Sequence, residues 1–339
     1  MRCLVLAESL SANGWSCRFA SNPEAPVDIP ALARSDYRAI GVAVEDGTRA
    51  LREHWPEGCE LLVVDHYGLD HDFEAGLRPW AKQILVIDDL ANRAHDADYL
   101  LDQTLLRRAE AYAGLVPQHC KFYLGGNYAL LREQFRAARS VALQHRARRN
   151  AVQRVLVAIG GVDGRRLTPV ALRAIHDSGL DVTVDVIMGG RAPALPEVKK
   201  FIEEFPLPIH LHVDTDQVAS LMQMADLAIG AAGTSSAERC CLGLPTLAIT
   251  VADNQRGIAA ALTKAGAACS LGWWSDICQR SIAAAFVNLE NNPERRAAMS
   301  RAAAALIDGR GAERIVARID PRKHMSAISR SHTTKGQNS

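Results

Sequence analysis

The chain has 339 residues, a length that favours two domains because single hydrophobic cores stop growing at roughly 250–300 residues. A composition of 48% hydrophobic and 23% charged residues excludes a disordered chain, and a formal charge of +1 excludes the strong field by which nucleic-acid and anionic-membrane binders gather their partners. No run approaches the ~18 apolar residues of a membrane span, no secretory leader pattern is present, and the eight cysteines form no C-x-x-C pair. A cytoplasmic protein is expected, with no structural zinc, no nucleic-acid partner and no membrane partner.

Residues 1–13 read as a helix carrying Leu4, Val5, Leu6 and Leu10, stopped by Gly14 ahead of a strand over 15–20. The helix starts at the first residue with no N-cap and no preceding strand to pack upon, so a first strand is expected to be missing upstream. Runs 61–64 and 84–87 are short, apolar and β-rich, and end in Asp65 and in Asp88-Asp89. They read as buried parallel strands followed by functional loops. Residues 131–150 are rich in arginine and poor in large apolar groups, which reads as a solvated helix running into a linker.

A second cycle opens with a strand over 154–159 and continues with strands over 182–187, 209–212, 227–229 and 247–251, separated by helical patterns. A last helix fits 312–319, and the polar remainder 321–339 reads as a disordered tail. The expected class is α/β, with an N-terminal domain over 1–150 that includes the linker, and a C-terminal domain over 151–320. Open parallel sheets with helices on both faces place their sites at the carboxyl ends of the strands.

Four segments carry chemistry. The strand ending at Ile229 leads into Gly233-Thr234-Ser235-Ser236 and then Glu238, small and hydroxyl residues at a helix start, where backbone N–H groups hold a diphosphate. Glu238 is placed to accept from a ribose diol. The same residues also suit an ordinary helix start with an acidic first turn. Gly160, Gly161 and Asp163 belong to a second glycine-rich loop after a strand, which permits close backbone approach to a ligand or serves as a plain turn. Asp65-His66-Tyr67-Gly68 gathers acid, imidazole and phenol at a strand end, and His66 and Tyr67 are candidate catalytic residues there. Their alternative is a loop satisfying its own backbone. Asp253-Asn254-Gln255 starts a helix after the strand over 247–251, with both amides as candidate ligand contacts and Asn254 also as a candidate catalytic residue. Asp88-Asp89 lacks a third ligand at fixed spacing, so no metal is assigned.

These segments coincide with a known pattern. Met1-Arg2-Cys3-Leu4-Val5-Leu6-Ala7, Asp65-His66-Tyr67-Gly68, Ile87-Asp88-Asp89, Tyr128-Ala129-Leu130-Leu131-Arg132, Gly160-Gly161-Val162-Asp163, Gly233-Thr234-Ser235-Ser236-Ala237-Glu238 and Asp253-Asn254-Gln255 together resemble the UDP-sugar hydrolases of pseudaminic acid biosynthesis. The resemblance runs from Met1 to about Gly311. It implies a GT-B fold, with two Rossmann-like domains facing a cleft and UDP held by the C-terminal one. The diphosphate would lie on Gly233, Thr234, Ser235 and Ser236 and the ribose on Glu238, with Asn254 and Gln255 near the sugar phosphate. The implied reaction is attack of water on the anomeric carbon of a UDP-linked 2,4-diacetamido-2,4,6-trideoxyhexose, giving UDP and free sugar without a metal or other cofactor. A glycosyltransferase of the same fold and a catalytically silent nucleotide-sugar binder are the alternatives.

The resemblance also implies a strand and a G-x-G-H loop directly ahead of Met1, whose histidine serves as general base. The chain contains neither. Met1 is therefore expected to be an internal methionine of a longer protein, and the chain as given to bind its substrate with poor turnover, positioned acid–base catalysis being worth roughly 10²–10⁴ in rate.

Overall fold

The structure, a computed structural model, describes residues 1–24, 30–205 and 207–319. The expected disordered tail lies outside the described residues. The chain forms two compact units, Met1–Leu131 with Arg310–Ser339, and Arg132–Gly309. These divisions differ from the boundaries at 150 and 320 read from the sequence, because the helices on either side of the second unit belong elsewhere than expected.

The first unit opens with α1 (Arg2–Ser11), which buries Leu4, Val5, Leu6, Ala7 and Leu10, and Gly14 at φ 82° ends it. There follow β1 (Arg18–Ser21), α2 (Pro30–Ala33), β2 (Arg38–Gly41), α3 (Gly47–His54), β3 (Cys59–Val64), α4 (His71–Leu77), β4 (Ala81–Ile87), β5 (Tyr99–Asp102) and β6 (Lys121–Leu124). Strands β3-β4-β5-β6 form a parallel sheet with apolar residues on both faces. Leu85, Ile87 and Leu101 pack towards α1 on one face, and Ile84, Val86 and Leu100 pack on the other. Strands β1 and β2 pair in parallel as a separate ribbon. An apolar cavity of about 880 Å³ lies between the ribbon and the larger sheet, lined by residues of α1, β1 and β3, among them Leu6, Leu10, Phe19, Leu61 and Val63.

The second unit contains α5 (Glu133–Arg148), β7 (Arg154–Ala158), α6 (Leu167–Asp177), β8 (Thr183–Met188), α7 (Leu195–Glu204), β9 (Ile209–Val213), α8 (Val218–Met224), β10 (Leu227–Ala231), α9 (Ser235–Cys241), β11 (Thr246–Thr250), α10 (Arg256–Lys264), β12 (Cys269–Trp273), α11 (Gln279–Glu290) and α12 (Pro293–Leu306). All six strands are parallel, in the order β12-β11-β10-β7-β8-β9. Counted from β7, this is the doubly wound order of nucleotide-binding sheets, which reverses direction between β7 and β10.

Helix α5 is not the solvated linker helix that its arginines suggested. Phe135 and Ala142 are fully buried, and Arg146 is 8% exposed. Arg146 donates to the carbonyls of Met222 and Ala225, at the end of α8. Arg139 donates to those of Ala304 and Ile307, each at 2.8 Å, at the end of α12. Helix ends leave carbonyls without intrahelical partners and carry partial negative charge. The arginines of α5 are thus structural cations that fasten it to the second unit. The last helix, α13 (Gly311–Ile319), instead packs Ile315, Val316 and Ile319 into the core beneath α1. No helix among the described residues is long and apolar enough to cross a membrane.

Candidate functional site

Where an open parallel sheet reverses its order, the connections on either side leave the strands' carboxyl ends in opposite directions and open a crevice. In the second unit that point lies between β7 and β10, and the two loops that border it are the two glycine-rich ones. The loop after β7 begins with Gly160 at φ 104°. A methyl group added at Gly160, Gly161 or Gly164 would meet nothing within 4 Å, so the backbone here faces open space. The loop is pinned by Gly189, whose N–H donates to the Gly161 carbonyl at 2.8 Å.

Asp163 shapes this loop from within. It is 5% exposed at φ 40°, and its carboxylate accepts from Leu167 and Thr168 N–H at 3.0 and 2.9 Å. Both oxygens are thereby spent on the start of α6, as in a helix cap. Asp163 thus lies in the loop with its carboxylate turned towards the start of α6.

After β10 the arrangement is the reverse. No side chain caps α9, and the N–H groups of Gly233, Thr234 and Ser235 have no acceptor among the described residues. Thr234 is exposed and Ser235 half-buried. Gln255, from the loop after β11, accepts the Val251 N–H at 3.0 Å through Oε1, and its Nε2 lies against Gly233, where an added methyl would approach it to 3.2 Å. Asn254 is exposed beside it. Gly233, Thr234, Ser235, Ser236 and Gln255 are therefore brought to one edge with the 160–164 loop.

Glu238, one turn into α9, meets Arg132 Nη2 at 3.3 Å. Burial pushes its carboxyl above the ordinary value, and Arg132 pulls part of the way back. Arg239, which sequence reading passed over, is 2% exposed. Its guanidinium donates to Ser235 Oγ at 2.9 Å, Ser236 Oγ at 3.0 Å and the Ala231 carbonyl at 2.6 Å. Burial holds it below the ordinary arginine value. The available signal was an arginine three and four residues after two serines, followed by the apolar run Cys240-Cys241-Leu242, a spacing that turns it inward to the serines.

His66 and Tyr67 lie in the first unit, after β3. The Gly68 N–H donates to His66 Nδ1 at 3.0 Å, so the neutral ring carries its proton on Nε2 and offers a donor outward. The Tyr67 hydroxyl donates to Asp89 Oδ2 at 3.2 Å, and burial with the Asp89 charge holds the phenol above its ordinary value. Arg2 joins Asp65 and Asp89 at 2.6 and 3.1 Å, tying α1 to the carboxyl ends of β3 and β4. Among the described residues no group of three or more His, Cys, Asp or Glu is placed to hold a metal ion.

Residues 155–315 match the model of the glycosyltransferase family 28 C-terminal domain. The chain is 26% identical over 268 residues to the UDP-2,4-diacetamido-2,4,6-trideoxy-beta-L-altropyranose hydrolase of Campylobacter jejuni, covering 78% of this chain and 90% of that protein. It is 28% identical over 204 residues to the spore coat polysaccharide biosynthesis protein SpsG of Bacillus subtilis, covering 60% and 59%. Among solved structures it is similar to MurG of Acinetobacter baumannii, with a TM-score of 0.65 at 14% identity over 94% of each chain. A putative UDP-N-acetylglucosamine 2-epimerase of Listeria monocytogenes gives a TM-score of 0.66 at 14% identity, over 96% of this chain and 93% of that one.

The fold is GT-B, with two Rossmann-like domains of parallel sheet and helix. Residues 155–315 are thus similar to the C-terminal domain of glycosyltransferase family 28.

Proposed function

We propose that this chain is a nucleotide-sugar enzyme that holds UDP at the carboxyl edge of its second unit and hydrolyses a UDP-linked 2,4-diacetamido-2,4,6-trideoxyhexose. The observation that carries the binding half is the placement of both glycine-rich loops on the two sides of the β7/β10 reversal. The hydrolytic half is supported by the Campylobacter jejuni hydrolase, which the chain matches over 90% of that protein's length.

In this reading the N–H groups of Gly233, Thr234 and Ser235 and the open backbone of Gly160 and Gly161 receive the diphosphate, whose charge suits unpartnered amides. Glu238, held by Arg132, accepts from the ribose hydroxyls, and Gln255 and Asn254 donate near the sugar phosphate. Water forms the new bond to the anomeric carbon as the bond to the diphosphate oxygen breaks, its electron pair leaving with UDP. One water proton must be taken up. His66 and Tyr67 both present protons rather than accept them, so neither is assigned as the base.

The second reading is transfer of the sugar to an acceptor, the activity in the name of the matched domain family. Incubating the UDP-sugar with the chain in water separates the two: hydrolysis releases UDP and free sugar in equal amounts without an acceptor. Release that needs an added acceptor would support transfer.

A further inference from the structure

We infer that Arg239 is a positioning residue that turns Ser235 and Ser236 into hydrogen-bond donors for a bound diphosphate and supplies the buried positive charge that complements it. The inference rests on the proposed binding of UDP at this edge.

The chemistry of the hydroxyl group sets the direction. A serine hydroxyl has one proton to give and two lone pairs to receive. Ser235 Oγ and Ser236 Oγ each receive a guanidinium N–H from Arg239, at 2.9 and 3.0 Å. A cation has no acceptor to offer, so neither hydroxyl gives its own proton back, and no other group among the described residues takes it. Two O–H groups are left with a proton to give, next to the N–H groups of Gly233, Thr234 and Ser235. Ser236 is only 3% exposed, and a buried hydroxyl whose proton has no taker is costly unless a ligand supplies one.

Charge points the same way. Arg239 is 2% exposed, and its acceptors are two hydroxyls and a carbonyl, with no carboxylate among them. Its Nε has no partner among the described residues. Buried charges are ordinarily paired. Arg132, Arg139 and Arg146 are spent on Glu238 and on helix ends, whereas Arg239 lies directly behind the loop that the diphosphate would occupy. Gly230 leaves room for it: a methyl there would meet Arg239 Nη1 at 2.8 Å.

The test is calorimetric titration of the full chain with UDP, uridine and inorganic pyrophosphate, in the wild type and in Arg239→Gln, Arg239→Lys, Ser235→Ala and the Arg239→Gln/Ser235→Ala double variant. Hydrogen bonds to a charged group are worth enough to change affinity about tenfold or more. The expected result is a fall of about that size in UDP and pyrophosphate affinity for Arg239→Gln and Ser235→Ala, with uridine affinity unchanged. Partial recovery is expected in Arg239→Lys, and the double variant should be no worse than the poorer single one. Should Arg239→Gln fail to fold, the Ser235→Ala ratio of UDP to uridine affinity gives the same answer. An unchanged ratio in folded variants overturns the inference. Wild-type binding of pyrophosphate but not of UDP, lost with Arg239, would keep the inference and sink the nucleotide reading. Binding of neither would sink both.

Discussion

Arg132 Nη2 lies 3.3 Å from Glu238 Oε1, joining the residue just ahead of α5 to the first turn of α9 within one unit. Arg132 also stacks over the Phe135 ring at 5.1 Å, which fixes the guanidinium in place. This pair holds Glu238 against the burial that favours its neutral form.

The sign of the resulting pH dependence follows from linkage. Glu238 is held above its ordinary carboxyl value in the folded state, with burial as the larger cause and Arg132 opposing it. The folded protein therefore binds this proton more tightly than the unfolded chain. The contribution is fully present below the ordinary carboxyl value and is lost as pH rises through the folded one. Glu238→Gln removes this fall, so its stability relative to wild type should improve as pH rises through that window. Arg132→Met should extend the fall to higher pH. Urea midpoints measured at several pH values check both; parallel curves for wild type and Glu238→Gln contradict it.

Asp163 closes the start of α6 with both carboxylate oxygens. Asp163→Ala should cost about 1–2 kcal/mol, the usual size for a lost cap. Asp163→Asn retains an acceptor and should cost less. Because the carboxylate faces its own helix, neither change should abolish UDP binding if folding is maintained. Complete loss of binding in folded Asp163→Asn would place the carboxylate in the ligand site instead.

Arg146 satisfies the carbonyls of Met222 and Ala225 at the end of α8. Arg146→Met keeps much of the packing volume but strands those carbonyls in the core. A loss of about 1–3 kcal/mol in chemical denaturation is expected. A change under about 0.5 kcal/mol would show that α5 is as solvated as its composition suggested.

Cysteine reactivity offers an independent check on burial. Cys278 is exposed, and the Ser281 backbone and side chain hold its thiol below the ordinary value. Burial pushes Cys59 and Cys241 up to about 11, and Cys120 and Cys240 up to about 12. Since the thiolate is the nucleophile, iodoacetamide near pH 8 should modify Cys278 well before those four. Mass spectrometry of timed digests reads the order, and early modification of Cys240 or Cys241 would contradict the packing of α9.

Several of the strands that the sequence revealed, such as 61–64, 84–87 and 154–159, are apolar on both faces, where burial alone dictates composition. Arg38–Gly41, Lys121–Leu124 and Cys269–Trp273 are short and mix polar with apolar residues, and they were passed over because pairing, not composition, makes them strands. Helix α5 was misjudged because an arginine that satisfies helix-end carbonyls looks the same in sequence as one that faces water. In the candidate site the glycine-rich loops were legible from residue type. Which loop leaves its amides open was not, since that depends on Asp163 folding back onto its own helix and on Arg239 turning inward beneath Ser235 and Ser236.

Hydrogen exchange of the full chain with and without UDP is the most direct test of where a nucleotide sits. Slowed exchange at the amides of Gly233, Thr234 and Ser235, together with Gly160 and Gly161, is the expected outcome. Slowing confined to the first unit, or none at saturating UDP, would contradict the placement of the nucleotide at the β7/β10 reversal.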